Sequence, residues 1–336
     1  MIIFSNIVNI ISIDSLMNPA TKKAGIVFLK ATIAMVCIAF IYRKVMLRDG
    51  FEQYETLLTR SFENPAKLQH LVLVMILMFC NWFIETMKWK LLLSSITRVG
   101  WLRCFRSVLS GVTVSIFTPN RIGEFAGRIL HLEPSVRIKA VIASIIGSMN
   151  QLLVTIVAGG CGLMASLYLY VDDEIVWRAL ISIIILTILS CIYIYFRIPA
   201  LTRIAEKIRV LKKINLYTSI FAKYSPVSLI KLSFLSALRY CVFLIQFIIM
   251  LYWFDVYIPW QEAIKAISLM YLVLAVVPSL AISELTVRGS VALFFFAAYT
   301  ANSSGILAAT SMIWLINLVI PAVLGALAAF YFRLSK

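Results

Sequence analysis

Two short stretches hold the residue types that can do chemistry. In "TPNRIGEFAGRIL" (118–130) Arg121, Glu124 and Arg128 follow a proline, and in "VPSLAISELTVRG" (277–289) Glu284 and Arg288 do. Both Glu–Arg spacings are four, with the glutamate nearer the N-terminus. On a helix that is the favourable orientation for an ion pair. Each pair therefore has two readings, an internal ion pair or a ligand contact. Arg121 has phenylalanine at both 117 and 125, so it lacks an i±4 acid. A guanidinium left over in this way suits a phosphate, which it grips bidentately. Thr118 is placed to cap a half-helix starting at Pro119, where the missing N–H costs nothing. The free N–H groups and dipole of such a start would also attract an anion. In the second stretch Pro278 marks the break, Ser279 or Ser283 is the candidate cap, and Gly123 and Gly289 complete the candidate hinge set. Arg239 is a further candidate, deep in an apolar run.

These charges are conspicuous because little around them is polar. The chain has 336 residues, 62% hydrophobic and 14% charged, with a mean hydropathy of +0.96. Ordinary soluble domains are about 45–50% apolar. Apolar runs at roughly 24–42, 68–87, 138–170, 175–196, 227–253 and 306–332 predict six full spans, each near the ~20 residues a helix needs to cross hydrocarbon. Runs such as "LVLVMILMFCNWFI" do not alternate as barrel strands would. The expectation is an all-α polytopic membrane protein forming a single membrane domain over 1–336.

The net charge of +16 does not indicate nucleic acid, because the basic residues cluster between apolar runs. The six cysteines, at 37, 80, 104, 161, 191 and 241, form no C-x-x-C pair, and His70 and His131 stand far apart. No metal site or cofactor is expected. The leader "MIIFSNIVNIISI" lacks a basic n-region and a small-residue cleavage site, so it does not read as a signal peptide.

Loop charges orient the spans. Residues 88–106 carry five bases and no acid, and 197–223 carry seven bases and one acid. Both are expected in the cytoplasm, together with the C-terminal Arg333 and Lys336. "VDDE" (171–174) and "FDVYIPWQE" (254–262) are acidic and expected outside, with the uncharged "TANSSG" (300–305). Segment 43–67 must then also be outside, against its five bases and four acids. "RIPALTRIAEKIRVLKK" (197–213) reads as an amphipathic helix on the inner leaflet. Lys231 should snorkel, and Asn150 and Gln151 should glue helices together.

A repeat organises the map. Trp101 to Pro119 and Trp260 to Pro278 are both 18 residues, and the spans before them begin 159 residues apart. The first repeat covers about 68–170 and the second about 227–332, with 175–196 linking them. The charge map inverts one copy relative to the other. Two broken, re-entrant helix pairs arranged as inverted repeats imply a polar cavity near the midplane.

"MKWKLLL" (87–93), "TPNRIGEFAGRIL" and "SELTVRGSVALFFF" (283–296) together resemble motifs of the lysylphosphatidylglycerol synthase transmembrane, or flippase-like, family. The similarity covers about 70–332. It implies a pseudo-symmetric fold that moves lipids between leaflets, and it points to Pro119, Arg121, Gly123, Glu124, Glu284, Arg288 and Gly289. Two departures stand out. No soluble domain follows residue 332, so synthase activity is not expected. "IIGSMNQLLV" (145–154) stands where many members carry a charged run, so the lipid can differ.

The resulting expectation is a lipid translocator in a bacterial inner membrane, not an enzyme. Its partners are membrane lipids with anionic or zwitterionic headgroups, and an oligomer is compatible with it. Substrate would meet Arg121, Glu124, Arg128, Glu284, Arg288 and Arg239. The rivals are a membrane enzyme acting on a lipid-linked phosphate, a non-transporting assembly protein, and an ion-coupled solute transporter.

Overall fold

The structure is a computed structural model that describes residues 50–118, 121–169, 171–206, 220–277 and 284–334. The expected span 24–42, Pro119, Pro278, Ser279, Ser283 and Lys336 lie outside the described residues. Every described element is helical: α1 (Gly50–Glu63), α2 (Pro65–Leu93), α3 (Trp101–Ile116), α4 (Gly123–Ile129), α5 (Arg137–Ser166), α6 (Glu174–Glu206), α7 (Pro226–Trp253), α8 (Trp260–Val276), α9 (Glu284–Phe296), α10 (Ser303–Trp314) and α11 (Ile320–Leu334). A π-helical turn, Leu315–Val319, joins α10 to α11. Five described stretches are long and apolar enough to cross a membrane: Lys67–Leu93, Pro134–Ser166, Glu174–Ala200, Pro226–Trp253 and Ser303–Leu327.

Helix ends follow local chemistry. Pro226 opens α7, and the Ser225 hydroxyl accepts from Ser228 N–H at 3.2 Å. Asn302 Oδ1 caps α10 by accepting from Gly305 N–H at 2.9 Å. At the end of α8, Val277 is already extended, with φ −73° and ψ 116°. The proline that follows forces that conformation, because its ring excludes the helical region for its predecessor.

Two expectations need correction. The bases at 88–90 are not in a loop: α2 runs on to Leu93 and buries Lys88. Residues 197–206 do not begin a separate amphipathic helix but continue α6 through Pro199; 207–213 lie outside the described residues.

The packing has a clear order. α2 and α7 run antiparallel along their whole length. Lys67 Nζ donates to Trp253 O at 2.9 Å, Gln246 Nε2 to Val74 O at 3.0 Å, Arg239 Nε to Asn81 Oδ1 at 2.8 Å, and Tyr224 O–H to Leu92 O at 2.8 Å. Around this pair, α3 folds back on α4 and α8 on α9. α3 also packs on α11, where Thr113 Oγ1 donates to Ala322 O at 2.8 Å and Gly325 lies against Leu109 O. α8 packs on α5, with Gly159 against Leu272 and Gly162 against Ser268. Small residues at these crossings let backbones approach, which is how helices associate without a hydrophobic drive between them. α6 touches mainly α5 and leaves Ile183, Leu186 and Leu189 exposed.

Two predictions follow from this packing. A Cβ at Gly127 would collide with Ser110 O and Gly111 Cα, which are backbone atoms that cannot step aside. Overpacking costs about 1–3 kcal/mol, more than the ~1 kcal/mol of helix propensity that alanine gains over glycine. Gly127→Ala should lower the melting temperature in detergent. Outside the spans, burial pushes the Asp255 carboxyl up, but hydrogen bonds from Lys67 Nζ, at 2.8 Å, and Tyr257 O–H outweigh it and hold it below its ordinary value. A depressed carboxylate stabilises the fold above its unfolded pKa, about 3.9, and that contribution is lost as pH falls through the folded value. Lys67→Ala should therefore flatten the loss of stability below about pH 4, read as melting temperature against pH.

A buried charge network beside an arginine-lined cavity

α4 is shorter than the sequence suggests, and it starts four residues past Pro119, at Gly123. Thr118 is not the N-cap, a position Ile122 holds, but its Oγ1 accepts from Gly123 N–H at 2.8 Å and so satisfies the first N–H of α4. Glu124 already occupies the first turn of this two-turn helix, so its N-terminus needs no outside anion. Gly123 is small because any Cβ there would strike Thr118 and Val114 O. The reversal itself falls on Arg121, at φ 56°. A non-glycine residue in that region is strained by about 1–3 kcal/mol and needs surroundings that hold it. Gly289 lies within α9, buried, and away from the break before Glu284.

The holding partner of Arg121 is Glu284. Arg121 Nη2 donates to Glu284 Oε1 at 2.6 Å, and its Nε reaches Oε2 at 3.4 Å. Arg288 donates to the same Oε1 from Nε at 2.9 Å, with Nη2 at 2.8 Å. So the arginine without an i±4 acid takes one from the other half of the chain, 163 positions away.

A second cluster lies deeper. Arg128 pairs with Glu124, as spaced, and also with Glu85 at 2.6 Å. Arg239 Nη1 meets the other oxygen of Glu85 at 2.6 Å, and Lys88 Nζ lies 3.3 Å from it. Lys88 also donates to Gln151 Oε1 at 2.9 Å. Glu85, Lys88 and Arg128 are only 5%, 1% and 4% exposed, so this is a sealed ionic core. Arg239 stands over the rings of Trp82 and Phe243 at 5.3 and 5.2 Å, and Arg128 over Trp89 at 5.3 Å. Arg239 is near the middle of α7, about 20 Å of helix from Pro226. Charges at that depth persist only when paired with one another or facing water.

Between the clusters is a cavity of about 290 Å³. Arg121, Arg239 and Arg288 line it, with Gln151, Asn317 and an aromatic wall that includes Trp82 and Trp314. The structure thus brings Arg121, Arg239 and Arg288 around one space, with Glu284 bonded to two of them, while Glu124 and Arg128 do not line it. Asn317 reaches the cavity from the π-helical turn and pairs with Asn81 at 3.4 Å. Gln151 is more than helix glue, since it joins Lys88 to the wall. Asn150 does bridge helices, through Ser233 at 2.8 Å.

The family model of the lysylphosphatidylglycerol synthase TM region matches residues 27–325. The chain belongs to this family. As a lysylphosphatidylglycerol synthase TM-region protein with five helices suited to spanning, it is an integral membrane protein of a lipid-related family. No curated protein and no solved structure gives a match. For this TM-region protein, the sequence alone did not disclose Glu85, Lys88, Asn81, Trp82, Trp314 and Asn317 as neighbours of the site. Glu85 had a usable signal: an acid inside an apolar run is a site candidate by default.

The network sets a sharp contrast between two glutamates. Glu85→Gln removes the carboxylate shared by Arg128, Arg239 and Lys88, and breaking a buried pair costs roughly 3–5 kcal/mol. Glu124→Gln leaves Arg128 its bond to Glu85, and the Glu124 side chain is 29% exposed. Fluorescence-detected size exclusion after heating should show Glu85→Gln collapsing well before Glu124→Gln.

Proposed function

We propose that the protein moves a polar-headgroup lipid between leaflets, the headgroup crossing through the arginine-lined cavity while the acyl chains stay in hydrocarbon. The observation that carries this reading is the cavity itself. Three arginines from three separate elements converge on one space, and in this reading it lies at a depth where a bare phosphate would otherwise meet hydrocarbon. Leaving a phosphate unsolvated there costs many kcal/mol, and a ring of fixed guanidinium donors offsets it.

In this reading α3–α4 and α8–α9 are re-entrant pairs of two inverted repeats, about 68–170 and 227–332. The packing supports it: exchanging α2 with α7, α3 with α8 and α5 with the α10–α11 rod turns the α3–α11 contact into the α8–α5 contact. The antiparallel run of α2 against α7 is what a two-fold axis in the membrane plane requires. The topology read from loop charges follows, with the C-terminus in the cytoplasm of a bacterial inner membrane. Arg121 and Arg288 hold the phosphate, and Glu284 takes their donors back when the phosphate leaves. Arg239, anchored by Glu85, adds positive potential without moving. Glu124 and Arg128 brace the α4 side, and Thr118 and Gly123 fix the turn that carries Arg121. No synthase chemistry is assigned to the chain.

The test is flipping of labelled phospholipid in liposomes. Arg121→Ala and Arg288→Ala should each slow it about tenfold or more, the loss expected for a charge-assisted hydrogen bond. The exposed Arg103→Ala should not. Folded Arg121→Ala and Arg288→Ala proteins that flip at the wild-type rate would overturn the reading.

A further inference from the structure

We infer that the cavity selects a phosphate headgroup carrying no ammonium group, and excludes net-cationic, aminoacylated headgroups. This deepens the translocation reading and rests on it only for the ligand being a lipid.

The balance of charge comes first. Every ionisable group lining the cavity among the described residues is an arginine or a tyrosine. Among the described residues, Arg121, Arg288, Arg239, Arg128 and Lys88 of the two clusters face only Glu284, Glu85 and Glu124. Five cations against three carboxylates leave two positive charges unmatched. The short segments 119–120 and 278–283, outside the described residues, contain no Asp, Glu, Lys or Arg and add nothing to either side.

The two carboxylates bonded to the lining arginines are also fully committed, and Glu124, bonded to Arg128, does not line the cavity. Glu284 receives N–H groups from Arg121 and Arg288 on Oε1 and a further Arg121 N–H on Oε2. Glu85 serves Arg128 through one oxygen and Arg239 with Lys88 through the other. A carboxylate has about four lone-pair sites, so little acceptor capacity is left for a headgroup ammonium. By contrast each arginine has five N–H donors, of which Glu284 takes two from Arg121 and two from Arg288.

An aromatic cage is the other common way to hold an ammonium. Here two of the rings that could form one, Trp82 and Phe243, already lie under the guanidinium of Arg239. The size fits as well. About 290 Å³ holds on the order of ten water molecules, enough for a phosphate with a small hydroxylated group and too little for acyl chains. A phosphodiester would neutralise one of the unmatched charges and a phosphomonoester both. An added lysyl group brings positive charge into a site that already carries a surplus of it.

Thermal shift of the full chain in neutral detergent tests this, with dioctanoyl phosphatidic acid, phosphatidylglycerol, phosphatidylcholine, lysylphosphatidylglycerol and sodium phosphate as probes. Phosphatidic acid and phosphatidylglycerol should raise the melting temperature with an apparent affinity at least about tenfold above that of lysylphosphatidylglycerol. Phosphatidylcholine should fall below both. Arg288→Gln should abolish the response and exposed Arg103→Gln should keep it. Should Arg288→Gln not fold, Glu284→Gln serves: by removing the negative charge that competes for Arg121 and Arg288 it should tighten phosphatidylglycerol binding about tenfold. An equal or stronger response to lysylphosphatidylglycerol, a response that survives Arg288→Gln, or Glu284→Gln binding as wild type would each overturn the inference. A shift with sodium phosphate and none with the lipids would overturn the lipid source. Selective binding without flipping in liposomes would uphold the inference and retire the translocation reading alone.

Discussion

The constraint on which the rest depends is that Glu85 cannot be left alone. A carboxylate in the middle of an apolar bundle has to find cations, and it finds three, one on its own helix and one on each of two others. Those bonds fix the rotation of α2, the depth of α7 through Arg239, and the position of α4 through Arg128. Arg128 then holds Glu124, and its own carbonyl accepts from Ser107 O–H, which tethers α3 through a hydroxyl that also receives Trp89 Nε1–H. Stability and geometry thus share one origin. Packing forces between lipid-facing helices are weak and unspecific, whereas this network gives each of its charges a defined partner whose loss would leave a buried charge unpaired.

Much of the architecture was legible in the sequence, because hydrocarbon is an unforgiving solvent. Apart from residue 170, runs at 68–87, 138–170, 175–196, 227–253 and 306–332 lie on described helices, and prolines after Thr118 and Val277 mark where helices stop. Glu–Arg spacings of four gave the pairs inside α4 and α9. Helical period reads contacts within one helix, and there its power ends. Arg121 looked unpaired because its acid lies in α9, and no spacing rule connects positions 121 and 284. Lys88 looked like a loop base because lysines at span ends usually snorkel; its burial depends on Glu85 and Gln151, which only tertiary packing brings to it. The start of α4 was misplaced for a related reason. Proline favours a helix start locally, but the left-handed turn at Arg121 intervenes, and a tertiary ion pair stabilises that turn.

The aromatic side chains complete the electrostatics in a way composition does not reveal. Tryptophans at run ends are ordinarily anchors at the membrane surface, and Trp101, stacked on Phe83 with Lys90 above it, fits that role. Trp82 and Trp89 do something else. They sit beneath arginines inside the protein and give each guanidinium face a polarisable partner where water would otherwise be needed. A cavity can then be lined by several guanidiniums and still have packed aromatic walls.

The antiparallel run of α2 against α7 has a mechanical consequence. These helices are tied near one end, where Lys67 and Ser61 hold Trp253 O, and near the other, where Tyr224 holds Leu92 O. Two rods fastened at both ends cannot scissor, and they cannot slide without breaking every tie at once. They form a fixed spine. The Arg128–Glu85 pair fastens α4 to this spine, and Arg121 with Glu284 is the clasp that carries the fastening on to α9.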